Sequence, residues 1–481
     1  MTLRSCRSAL FAATLALTAV AAAGCGGRKG TITLDIITSP ADDPFASAAS
    51  VRITVGDGMG EKVTKTVPVM NGRFDLSFDQ KPQKDTAPIL VEALDSSGAT
   101  IAWGRTPNVV LQPTNDPPVS VYVGRPNRIA PSRASLPTAR RGVASANVTG
   151  LGVVYVGGVE DNGVPTAKTA LYSVFTHAII ETAALNRGRA WANAAGTTGV
   201  RAVVFGGATT SDDGGPINTT EIFDPSQSFG TWAPLAGDAV EARSHATASV
   251  HPSGALLISG GIIEGGMRLQ SAALLSTDSS PKVTALPGSM VAARARHCAA
   301  AASYPDGEGA LLFGGLGPVG GPVAERLVGQ TFFAYDGGGF IGVQSRDNAT
   351  CTRLPDGRVL ILGGLEGGGP AVKTGLLVTP GQTAQVTPIP DALSVAREGH
   401  TATIVGSLLL VCGGANETGA LQASCDRIDL ATAARVDTIT LNAGRRDHNA
   451  DVAETGTLLI TGGVLDGGAA TASIEMYTPP L

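Results

Sequence analysis

Seven times this chain writes an apolar run that ends in a pair of glycines, and the copies are almost evenly spaced. They are GVVYVGG (152–158), VRAVVFGG (200–207), GALLISGG (254–261), GALLFGG (309–315), GRVLILGG (357–364), GSLLLVCGG (406–414) and GTLLITGG (456–463). The first glycine of each pair stands at 157, 206, 260, 314, 363, 413 and 462, at intervals of 49, 54, 54, 49, 50 and 49 residues. A fixed period of this size marks one supersecondary unit repeated, each copy burying its apolar face on the next. Apolar residues in a short run without alternation suit a strand covered on both faces. Gly-Gly then permits backbone angles closed to other residues and a close approach by neighbouring chain.

Around each pair the same order recurs from residue 133 onward. An arginine, often followed by histidine, opens a small-residue strand; the apolar run and glycines follow, then a loop and a further strand. The second repeat is the fullest, with VVFGG (203–207) and TTEIFDPSQSFGTWAPL (219–235), which places Phe223, Asp224, Pro225 and Trp232. These motifs resemble the kelch repeat. The resemblance implies an all-β, seven-bladed kelch-like β-propeller over 125–481, with one four-stranded blade per glycine pair. Other repeats put TAL (284–286), TPI (387–389) or ITL (439–441) where the second has its tryptophan segment, so the pattern is kelch-like rather than strict.

The first 24 residues read as an export signal. Arg4 and Arg7 form a basic start, and SALFAATLALTAVAAA is too short for an ordinary membrane span. The Ala-Ala-Gly-Cys ending at Cys25 resembles the lipobox of bacterial lipoproteins, which implies cleavage before Cys25, lipid on Cys25 and a tether over 25–30. Gly26 stands where an aspartate would signal inner-membrane retention in many such proteins, so the expected address is the outer membrane of a bacterial envelope. Residues 31–124 contain about eight short alternating segments, among them SVRITV (50–55), GRFDLSF (72–78) and PILVEAL (88–94). They predict a small β-sandwich, Ig-like or prealbumin-like, with a linker at 124–132.

Composition narrows the function. The net charge of −5 becomes −7 when a leader carrying two arginines and no acid is removed, which opposes nucleic-acid binding. Four cysteines remain beyond Cys6 and Cys25, none with the paired spacing of a zinc site. Cys412 closes the sixth apolar run and Cys425 opens the next strand, so a disulfide between them is expected, whereas Cys298 and Cys351 are expected as free thiols.

Motifs that resemble chemistry fail on inspection. GLGPVG (315–320) satisfies GxGxxG, but proline follows and no helical pattern does. GGGPAVKTG (367–375) has Val372 where a P-loop needs glycine. His245, His297, His400 and His448 open four repeats, yet no carboxylate or cysteine keeps a constant offset to them, so neither a metal nor a cofactor is expected. The copper constellation of galactose oxidase, a kelch enzyme, has no counterpart here. An enzyme acting on sugar, epimerase-like or oxidase-like, and a purely structural envelope component are therefore the alternatives. The favoured reading is a lipid-anchored module that binds a protein or glycan.

Two further expectations concern geometry. The last repeat has room for only one strand after its glycines, SIEMYTP (473–479), so residues 127–137 should pair with it and close the array. One arginine per repeat, Arg141, Arg189, Arg243, Arg296, Arg346, Arg397 and Arg446, should form an inner set on one face that grips an anionic ligand. An outer set of acids, Asp161, Asp213, Glu264, Glu366, Glu417 and Asp466, should surround it.

Overall fold

A computed structural model describes residues 13–15, 34–56, 62–70, 86–110, 119–211, 214–226, 229–237, 240–317, 321–335 and 338–481. Cys25, the 72–78 segment and Asp213 lie outside the described residues. Among those described, the chain is nearly all β, with three short 3-10 turns as its only helices.

In the N-terminal block, four antiparallel strands lie in the order Val63–Pro68, Ser50–Val55, Ile89–Leu94, Thr100–Arg105. A second sheet pairs Leu34–Ile37 in parallel with Val119–Tyr122 and antiparallel with Ala13–Leu15. Alternation in Ser50–Val55 buries Val51, Ile53 and Val55, which share a core with Leu34, Ile36 and Val121 of the second sheet. Residues 124–132 are not a linker. Arg128–Ser135 is a strand, antiparallel to Ser473–Thr478, with Ile129 opposite Tyr477. The block is seated on this strand and its neighbours: Ser39 Oγ donates to the Pro131 carbonyl at 2.8 Å and Trp103 Nε1 to that of Pro479 at 2.9 Å.

Each repeat folds as a four-stranded antiparallel sheet in which sequential strands are neighbours. The first consists of Ala144–Val148, Gly152–Val156, Thr169–Ser173 and Ile179–Thr182. The seventh takes three strands from the C-terminal end and its outermost strand, Arg128–Ser135, from before the first repeat. The apolar runs are the second strands and are buried along their length, as in Val359–Leu362. Consecutive sheets share apolar cores. Val154 and Val156 pack with Ala202 and Val204, Leu409 and Val411 with Leu360 and Leu362, and Tyr155 of the first repeat with Leu459 and Met476 of the seventh.

The glycine pairs show why glycine is needed there. A Cβ on Gly260, at φ +60°, would stand 2.1 Å from the carbonyl oxygen of Arg294 in the following repeat. The next residue, Gly261, donates its N–H to that same oxygen at 3.0 Å. Every repeat makes this bond to the next, through Gly158 to Arg189, Gly207 to Arg243, Gly315 to Arg346, Gly364 to Arg397 and Gly414 to Arg445. Gly463 then bonds the Arg140 carbonyl at 3.0 Å, so the last repeat holds the first. The repeated phrase is thus both a buried strand and a joint between units.

Among the described residues the structure holds two disulfides, one within a repeat and one between repeats. Cys412 and Cys425 face each other on neighbouring strands of the sixth sheet, with Cα atoms 4.0 Å apart. Cys298 and Cys351 are also bonded, contrary to the expectation of free thiols. They sit on the first strands of the fourth and fifth sheets, and packing of those strands brings their Cα atoms to 5.3 Å.

Candidate functional site

The arginines expected to form one inner set divide into two groups. Arg189, Arg243, Arg346 and Arg397 are buried, and the equivalent buried arginines of the other repeats are Arg140, Arg294 and Arg445. Arg397 shows the pattern: Nη1 donates to the carbonyls of Gly413 (2.8 Å) and Ser424 (3.0 Å), and Nη2 to Asp426 (3.0 Å). Buried carboxylates complete the same arrangement at Arg189–Glu221 (2.5 Å), Arg294–Glu325 (2.6 Å) and Arg445–Glu475 (2.5 Å). The carboxylates in turn accept backbone N–H groups from the incoming connection, as Glu325 does from Val291 and Ala292. Arg140 and Arg243 have no buried carboxylate, and burial lowers both to about 10. Six of these side chains tie the glycine turn to the third strand of their sheet, while Arg346 bonds Thr374 and Glu366; they are braces.

Arg141, Arg296 and Arg446 occupy different positions, one or two residues further along. Counting from each buried arginine, the residue two places on is Gly142, Trp191, His245, Arg296, Asn348, Gly399 or Asp447. All seven have positive φ, between 49° and 62°. Backbone bonds run from one to the next: Trp191 N to Gly142 O (3.0 Å), Arg296 N to His245 O (3.3 Å), Asn348 N to Arg296 O (3.1 Å), Asp447 N to Gly399 O (3.2 Å) and Gly142 N to Asp447 O (3.3 Å). The left-handed conformation is therefore set by the joint between repeats. Glycine adopts it freely, asparagine and aspartate with little penalty, and other side chains at a cost of about 1–2 kcal/mol. Trp191, His245 and Arg296 hold it nonetheless, in three consecutive repeats.

Four of the seven, Gly142, Trp191, His245 and Asp447, line a cavity of about 250 Å³ together with Asn193 and Asn449 among others. The indole of Trp191 stacks on the His245 ring, centroids 4.9 Å apart and planes 25° apart. Gly142 lies close to the indole, and a Cβ there would come within 2.6 Å of the ring. Charges of both signs meet here. Glu398 accepts from Arg446 (3.1 Å) and Asn348 (3.2 Å), and Arg446 approaches Asp447 at 3.6 Å. Burial raises Asp447 above the ordinary carboxylate range, and Glu398 adds to the rise, while Arg446, Arg141 and His245 oppose it. Asp347 is raised for the same reason, opposed by Arg296 and His245. It is 8% exposed, and its Oδ1 has no hydrogen-bond partner.

The other three repeat-opening histidines belong to a different position, one residue beyond His245's. His297, His400 and His448 are buried, and each uses Nε2 on a hydroxyl of a preceding repeat: Ser259 (2.8 Å), Thr350 (3.0 Å) and Thr401 (3.0 Å). Burial holds His400 and His448 down at about 3. No group of three potential metal ligands occurs among the described residues. Of the outer acids, Asp161 accepts from Ala470 N at 2.7 Å and Glu264 from Gly215 N at 3.1 Å, linking neighbouring loops, and Glu366 pairs with Arg346 at 3.1 Å.

No family model and no curated protein matches this chain. Its structure is similar to the solved structure of YjhT, at 14% sequence identity and a TM-score of 0.46, over 71% of this chain and 95% of that one.

Proposed function

We propose that the chain is a seven-bladed kelch-like β-propeller carried on a small β-sandwich, and that it binds a ligand at the mouth of the central cavity. The bond from Gly463 to Arg140 and the strand supplied by Arg128–Ser135 support the closed arrangement. The observation that carries the binding role is the left-handed position. Glycine takes this conformation without strain, as at Gly142 and Gly399, yet Trp191, His245 and Arg296 hold it in three consecutive repeats, and Trp191 and His245 line the cavity. Strain retained beside a polar cavity is a mark of a site kept for contact rather than for stability.

The ligand we propose is a polar group of a protein or glycan. Arg141, Arg296 and Arg446 favour an anion, but Asp347, Glu398 and Asp447 stand among them. The site therefore suits a ligand offering donors as well as acceptors rather than a simple anion. Lipid on Cys25 would hold the module at the bacterial outer membrane. A glycan array and capture from envelope extract, run with the native protein and with Arg296→Gly, test the binding role. A partner retained equally by both proteins would place the site elsewhere. Cys25→Ser should release the protein from membranes and abolish palmitate incorporation, and a native protein free of lipid would refute the anchor.

A further inference from the structure

The two disulfides have opposite surroundings. Cys412 and Cys425 are fully buried, inside the core shared by the sixth and seventh repeats. They join strands already paired within one sheet. Cys298 and Cys351 instead join two different sheets, and Cys351 is partly exposed while Cys298 is 6% exposed. They lie close in sequence to the left-handed positions of their repeats. Cys298 lies two residues after Arg296, and Cys351 three residues after Asn348. The Asn348 N–H bonds the Arg296 carbonyl at 3.1 Å between the same two repeats. One covalent bond thus joins the two repeats that carry Arg296, Asp347 and Asn348, whereas among the described residues no disulfide spans the seam at Gly142 and Trp191.

We propose that Cys298–Cys351 is a site of thiol–disulfide exchange in the folded protein and that its state sets the rigidity of the seam between these two repeats. A dithiol reductant supplies the electrons. Its thiolate attacks one sulfur, the S–S bond breaks, and a mixed disulfide forms with release of one cysteine thiolate. The second thiol of the reductant then displaces the other cysteine. Both cysteines end as thiols, having gained two electrons and two protons, and the reductant ends as a disulfide. Access governs such attack, so the partly exposed bond reacts and the buried one does not. The consequence for ligand rests on the binding role proposed above; the exchange itself does not.

The test treats the native protein with a dithiol, alkylates free thiols, and maps both the alkylated cysteines and amide hydrogen exchange. Cys298 and Cys351 should be alkylated while Cys412 and Cys425 stay bridged. Exchange at the Asn348 amide should accelerate at least tenfold, with the Gly142 amide, bonded to Asp447 across a seam without a disulfide, unchanged. Cys298→Ala/Cys351→Ala should reproduce this without reductant, and Cys412→Ala/Cys425→Ala should leave Asn348 protected. If both bonds open together, if neither opens without denaturant, or if Asn348 and Gly142 accelerate equally, the proposal is wrong. A protein that exchanges as described yet captures no ligand would refute the binding role and leave the clamp standing.

Discussion

Arg397→Ala should destabilise the protein far more than Arg446→Ala, although both arginines belong to the set first expected to bind ligand. Arg397 and Asp426 are each 0% exposed in their side chains and bonded at 3.0 Å. Removing the guanidinium strands a buried carboxylate and frees two carbonyls, of Gly413 and Ser424, from their donor. Breaking one side of such a pair costs about 3–5 kcal/mol. Asp426 keeps its bonds from Ser394 N (3.1 Å) and Thr438 Oγ1 (2.8 Å), which holds the loss toward the lower end. With an unfolding entropy of about 2.1 cal/mol/K per residue over a unit of roughly 350 residues, 4 kcal/mol corresponds to a fall of about 5 °C in Tm. Arg446 is 44% exposed, and its partner Glu398, though 12% exposed, keeps the bond from Asn348 at 3.2 Å, so the loss of Arg446 should cost about 1 kcal/mol. Urea titration and thermal unfolding of both variants measure the difference. Arg397→Met/Asp426→Leu should recover most of the loss, because no stranded charge remains. Equal stability of Arg397→Ala and the native protein would refute the bracing role.

Mild acid should weaken the fold chiefly through its buried histidines. His177, His400 and His448 are held near 4, 3 and 3 by burial, and His297 well below its ordinary value. The unfolded chain takes up protons below about pH 6.5 that the native state refuses, so stability is complete above that pH and falls beneath it. From pH 7.5 to 5.5 each histidine costs about 1.4 kcal/mol, while Asp451, raised to about 6 by burial, returns somewhat under 1 kcal/mol as it protonates. Asp347 and Asp447, also raised by burial, offset the loss in the same direction, so the net fall should be at most about 5 kcal/mol by urea titration, and a flat profile over that range would contradict it. A chain beginning at residue 125 should fold, whereas one beginning at 140 lacks Arg128–Ser135 and leaves the edge of Ser473–Thr478 open. Aggregation of the shorter chain, followed by light scattering, is the expected result; equal solubility and Tm would refute closure by that strand.

The repeat was legible because glycine has a unique conformational range, so the joints between units could not be written otherwise. The array's outermost strand was legible too, from the shortage of chain after Gly463. The arginine set spans two positions of the repeat. Arginines are doubled at 140–141 and 445–446 and flank one residue at 294–296, and choosing the second of each pair mixed buried braces with arginines one or two residues further along. A count back from the glycines would have separated them, since the buried arginine precedes the first glycine by 17 residues in five of the seven repeats. Asp347, Glu398 and Asp447 follow the buried arginine at the same offsets as Arg141, Arg446 and Arg296, but acids at a position expected to be basic were passed over. The Cys298–Cys351 bond was hidden for the same reason. Measured from the buried arginines, the two cysteines stand at offsets of four and five, a difference of one residue.

Paired stability and binding measurements at the left-handed position test the central claim most directly. His245→Gly/Arg296→Gly removes two side chains from the mouth and relieves two strained conformations, each worth about 1–2 kcal/mol. His245→Ala/Arg296→Ala removes the same side chains and keeps the strain. The glycine variant should be at least about 2 kcal/mol more stable than the alanine variant, while both lose the ligand identified by array or capture. A glycine variant no more stable than the alanine variant, or one that binds as the native protein does, would contradict the account.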